Sequence, residues 1–131
     1  MLLKDAGLPE GTETTVRRVI GCALTVHREL GPGFLESIYR RAMALELEAQ
    51  ELAFEAEKTI VVSYRGQAIP GQRVDLVVGG DVVVELKAVG AIEPIHVAQV
   101  LSYLKTLSLR VGLLINFREH ILRNGIRRVV R

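Results

Sequence analysis

The chain has no tryptophan, one cysteine, three histidines and 5% aromatic residues in 131 positions. Each scarcity removes a class of explanation. The single cysteine, Cys22, cannot close an internal disulfide, which fits a reducing, cytoplasmic setting. Set within a helical pattern, it reads as a small core hydrophobe before it reads as a nucleophile. No zinc spacing, serine triad or nucleotide-binding glycine fingerprint is present. With so few aromatics, base stacking is expected to be limited. No apolar run approaches the length that spans a bilayer, and Lys4 and Asp5 interrupt the first residues too early for a secretory signal. A protein with no membrane partner is expected.

Hydrophobic residues make up 49% of the chain, enough for a real core. One domain is expected over residues 13–131, after a loosely attached leader, 1–12, broken by Gly7, Pro9 and Gly11. Net charge is only +2, but its distribution is uneven. Residues 1–95 hold ten basic and fourteen acidic side chains, whereas 96–131 hold seven basic side chains against Glu119 alone. That asymmetry suits a polyanion partner or a merely solvated surface.

Apolar residues at 16, 19, 20, 23, 26 and 30 recur at helical spacing behind Thr12, a candidate N-cap, and Gly31-Pro32-Gly33 stops that helix. A second helix is expected from about Phe34, with Leu35, Ile38, Ala42, Leu45, Ala49 and Leu52 on one face. The period then becomes two, predicting strands at 59–64, 73–78 and 82–88. Pro94 suits the first position of a third helix, running to about Thr106, with Val97, Val100, Leu101 and Leu104 as its core stripe. His96, Gln99 and Tyr103 form a separate polar stripe on it. The short apolar run 111–115 reads as a strand buried on both faces, parallel to 82–88. A last strand is expected at 126–130, after a turn or short helix ending near Gly125. The order implies a mixed α/β sandwich with helices on the sheet.

Asp75 lies on one of these strands, and Glu85-Leu86-Lys87 on the next. Residues two apart in a strand share a face, so Glu85 and Lys87 do. Charges among valines are costly unless they pair or bind something. A divalent metal held by Asp75 and Glu85 explains them, and so does a structural Glu–Lys pair. The turn decides whether the two acids meet. A two-residue Gly79-Gly80 turn sets Asp75 opposite Val84; a three-residue turn pairs Val78 with Val82 and Asp75 with Glu85. Arg73, on the face of Asp75, is a candidate ion-pair partner for it.

At these residues the chain resembles the PD-(D/E)XK nucleases. Their signature acid and E-x-K lie on adjacent strands, as Asp75 and Glu85-Leu86-Lys87 do here. Their Q-x-x-x-Y helix is matched by Gln99 and Tyr103, and their acid on a preceding helix by Glu36. The proline that usually precedes the signature Asp is Val74 here. Gly33-Phe34-Leu35-Glu36-Ser37-Ile38-Tyr39, with His27 before it and Leu113-Leu114-Ile115-Asn116-Phe117 after the Q-x-x-x-Y helix, resembles the bacterial GxxExxY proteins of the same superfamily more narrowly. The resemblance implies a core in which a three-stranded antiparallel meander and a parallel strand form a mixed central sheet flanked by helices. It implies a Mg²⁺- or Mn²⁺-dependent nuclease acting on DNA or RNA. Asp75, Glu85 and the backbone carbonyl of Leu86 would hold the metal, with Glu36 as an additional acid. Lys87 would position or deprotonate water, Gln99 and Tyr103 would line the substrate, and Tyr39 and His27 would support the site. A non-hydrolytic nucleic-acid- or protein-binding module is the alternative, and a homodimer or partner subunit would compensate for the chain's small size.

Overall fold

Helix α1, Glu10–Leu30, opens a computed structural model that describes residues 7–131. It buries Val16, Val19, Cys22, Ala23 and Val26 along one stripe. The helix begins before the expected N-cap: Pro9, not Thr12, occupies that position. Thr12 instead donates its Oγ1 proton to Asp81 Oδ2 at 2.7 Å, tying α1 to the turn between the second and third strands. Leu8 is buried, so the expected loose leader does not extend to this part of the chain; residues 1–6 of it lie outside the described residues.

Helix α2, Glu36–Ala49, starts two residues later than expected and docks by a different face. Tyr39, Met43 and Leu47, spaced by four, are fully buried, while Leu35 is 74%, Leu45 50% and Ile38 45% exposed. The helix carries two apolar stripes on opposite sides. The one with the bulkier side chains meets the core, where Tyr39 stacks on Phe117 at 4.5 Å between ring centroids.

Five strands form one sheet in the order β1-β2-β3-β4-β5. Strands β1, Phe54–Tyr64, and β2, Gln67–Val78, are longer than their apolar alternation suggested. The added stretches, 54–58 and 67–72, are largely exposed, so no hydrophobic period marks them, and the backbone ladder between the two strands defines them. The register slips between Ile60 and Val62, opposite Pro70 and Gly71, where the proline has no N–H to give the ladder. β3, Val82–Lys87, pairs Val78 with Val82 through the three-residue Gly79-Gly80-Asp81 turn, as the single-site reading requires. Gly79 and Gly80 both adopt positive φ, 64° and 77°, which supplies the turn's geometry.

Helix α3, Pro94–Leu107, crosses from β3 to β4, Val111–Asn116, and these two strands are parallel as expected. A 3-10 turn, Leu122–Gly125, leads into β5, Ile126–Val130, antiparallel to β4. One sheet face packs Leu76, Val84, Leu86, Leu113 and Ile115 against α1 and α2. The other packs Val77, Val83, Leu114 and Val129 against Val100, Tyr103 and Leu104 of α3. Leu101, expected in that stripe, is half-exposed, and Tyr103 takes the buried place. A Cβ at Gly112 would sit 2.6 Å from Val100 Cγ1, so glycine on β4 sets how closely α3 lies on the sheet. Among the described residues, no helix is long and apolar enough to cross a membrane.

Candidate active site

The β2–β3 ladder runs from Val78–Val82 to Leu76–Val84 and stops one pair short of Asp75 and Glu85. β1 is irregular at the same level. Ala56 pairs with Leu76 and Lys58 with Val74, and Glu57, skipped between them, has φ 49°. Where the ladder ends, the two carboxylates take over the backbone donors. Glu85 Oε1 accepts from the Asp75 N–H at 3.3 Å, and Asp75 Oδ2 accepts from the Leu86 N–H at 2.8 Å. The acids are thereby clamped onto each other's strands, and the sheet opens as a fork around them.

Lys87 lies beside them. Its Nζ is 3.7 Å from Glu85 Oε2 and donates to Gln99 Oε1 at 3.1 Å, which joins β3 to α3. Tyr103, one turn further along α3, is buried. Desolvation, then the charges of Glu85 and Asp75, push its hydroxyl above the ordinary tyrosine pKa, which places it within the field of both acids. Helix α2 closes the other side. Arg40 donates from Nε to Asp75 Oδ1 at 3.1 Å, and its Nη2 is 3.6 Å from Glu36 Oε1. Its Nη1 is 4.0 Å from Glu57 Oε1. The expected partner of Asp75, Arg73, turns to Glu57 instead, at 3.6 Å on the exposed edge strand.

The fork holds more negative charge than its cations neutralise. Burial, then the neighbouring Asp75, push the Glu85 carboxyl up to about 7, against the pull of the Asp75 N–H and Lys87. Burial and Asp75 also raise Glu36, with Lys87, Arg40 and His96 opposing. His96 sits near enough to act because it belongs to the start of α3, where its Nδ1 accepts from the Glu93 N–H at 2.9 Å.

Tyr39 and His27, expected as supporting residues, bond to main chain. Tyr39 Oη donates to the Gly31 carbonyl at 2.5 Å and accepts from the Phe34 N–H at 3.1 Å, fixing the loop before α2. His27 Nε2 lies 2.7 Å from the Glu119 carbonyl. Asn116, buried at the end of β4, does comparable work after β3. Its amide accepts from the Val89 N–H and donates to the Val89 carbonyl. From the sequence, Arg40 reads only as the partner of Glu36 one turn back, a pair that is present. Its bond to Asp75 carries no sequence signal, and for Asn116 the signal is a polar residue closing the apolar run 111–115.

Among the described residues, no three His, Cys, Asp or Glu side chains form a ready-made metal cage. The donor set nevertheless fits a hard divalent cation. Mg²⁺ takes one or two carboxylates and completes its shell with water. The raised Glu85 carboxyl marks negative charge that such an ion would satisfy.

Comparison with known proteins agrees with this architecture. The family model described as the PD-(D/E)XK nuclease superfamily matches residues 13–129. No curated protein and no solved structure matches the chain.

Proposed function

The chain belongs to the PD-(D/E)XK nuclease superfamily, and from that premise we propose that it hydrolyses phosphodiester bonds in DNA or RNA with Mg²⁺ or Mn²⁺. The observation that carries this reading is the fork itself, where Asp75 and Glu85 cross-bond and Lys87 is held beside them by Gln99. Asp75, Glu85 and the Leu86 carbonyl would hold the ion, with Glu36 as a further acid. The bound ion would polarise the phosphodiester and lower the pKa of a water. Lys87 positions that water and offsets charge developing on the phosphorus oxygens. The bond from Lys87 to Gln99 fixes the ammonium's direction. Gln99 would line the substrate side, and Tyr103, buried one turn along α3, would back that wall within the field of both acids. The motif Gly33, Glu36 and Tyr39 supports the narrower assignment to bacterial, cytoplasmic GxxExxY proteins.

A non-hydrolytic binding module on the same fold is the second reading. Its support is Arg40, whose guanidinium already occupies Asp75. Cleavage of labelled DNA and RNA oligonucleotides with Mg²⁺ or Mn²⁺ separates the two. Lys87→Ala should lower the rate by at least ~100-fold while keeping metal binding. Asp75→Ala should lose both. Oligonucleotide binding by wild type with equal, background cleavage in wild type and Asp75→Ala overturns the nuclease reading in favour of the module.

A further inference from the structure

The face of α2 opposite its docked side carries Leu35, Ile38, Ala42, Leu45 and Ala49, at alternating spacings of three and four. That is the narrow a/d row of a helix that pairs with another helix. The fold uses only Ala42 of it, which packs partly against the core. Leu35, at the N-cap, Ile38 and Leu45 are exposed, and Phe34 beside them is 47% exposed. Large apolar side chains exposed in one row, with small residues between them, mark an interaction surface, unlike scattered surface leucines.

The composition of the row and its rim identifies the occupant. Set antiparallel about a two-fold axis, two α2 helices align Ala42 with Leu45 of the second copy and Ile38 with Ala49, a small residue against a large one in each layer. In the same register Arg41 falls beside Glu48 of the second copy, and the symmetry repeats this contact. Both side chains are exposed, and neither has an ion-pair partner among the described residues. A surface that complements itself in both size and charge suits a second copy of its own chain. It also lies on the far side of α2 from Glu36 and Arg40, so the pairing leaves both forks open.

We propose that α2 is the seam of a homodimer, formed by this row with Arg41 and Glu48 on its rim. The proposal stands independently of the nuclease reading. Sedimentation or light scattering of the full chain at micromolar concentration should give about twice the chain mass of 14.5 kDa. Leu45→Glu should be monomeric with an unchanged far-ultraviolet dichroism spectrum. Arg41→Glu, an exposed change that spares the fold, should weaken association by ~tenfold, and adding Glu48→Arg should restore it. A monomeric wild type, which would leave the row to a different protein, overturns the proposal. So does a dimer indifferent to Leu45→Glu, or a charge reversal that Glu48→Arg does not rescue.

Discussion

Two groups of buried charges in this protein are built on opposite terms. Glu13 of α1 and Arg128 of the edge strand β5 face each other almost out of solvent, with 4% and 9% of their side chains exposed. Two guanidinium nitrogens of Arg128 donate to the two Glu13 oxygens. One acid meets one base, and the charge closes. At the fork, Asp75, Glu85 and Glu36 face Lys87 and Arg40, and Arg40 is shared with Glu57. Acid is in excess, and Glu85 is pushed up to about 7. A balanced buried pair is explained by structure alone. A buried group short of one positive charge is arranged for something that supplies it.

The comparison breaks first, and by the largest effect, at Glu13. Glu13→Ala strands the buried Arg128 and should cost about 3–5 kcal/mol, with no dependence on Mg²⁺, read by urea or thermal melts. A loss under ~1 kcal/mol would mean that this pair, too, is not structural.

Glu85→Gln should behave in the opposite way. The folded protein holds the Glu85 proton more tightly than the unfolded chain, whose carboxyl titrates near the ordinary 4.5. Stability from this group is therefore fully present below about pH 4.5 and is lost as pH rises toward about 7. With chelator present, melts across that range should show the decline in wild type and a flatter profile in Glu85→Gln. At neutral pH the variant should be as stable as wild type or more so. Added Mg²⁺ or Mn²⁺ should stabilise only the wild type, by about 2.7 kcal/mol at a hundredfold excess over the dissociation constant. A variant several kcal/mol weaker than wild type, with no metal response in either, would make the fork a second structural pair.

The smallest effect belongs to Arg73. It sits on β2 close to Asp75 but pairs with Glu57 where both side chains are at least half exposed. Arg73→Ala should change stability by no more than about 0.5 kcal/mol in chemical denaturation. A larger loss would extend the fork's charge network out to the edge strand.

The centre of the fork was legible because its chemistry is local. Glu85 and Lys87 are two apart on one strand, and the three-residue turn that brings Asp75 to them lies within ten residues. Its closure by Arg40 was not legible. That contact spans 35 positions and two kinds of element, and no periodicity reports it. Glu13 and Arg128, 115 apart, were hidden for the same reason. The error at α2 has a different origin. Leu35, Ile38 and Leu45 make the more regular stripe, while Tyr39, Met43 and Leu47 fill more volume, and volume decided which face the core took. Residues 54–58 of β1 and 67–72 of β2 left no trace because they are largely exposed, so only the backbone ladder defines them.

The level at which β2 leaves β3 is also the level at which Glu57 of β1 takes a positive φ. Beyond it, the two strands continue as an arm that β3 no longer pairs with. The root of the arm stays anchored, because Ile60 and Val74 pack with Val100, Tyr103 and Leu104 of α3. Asp75 therefore stands where the sheet hands its support over from one neighbour to another, from the ladder of β3 to the side chains of a helix.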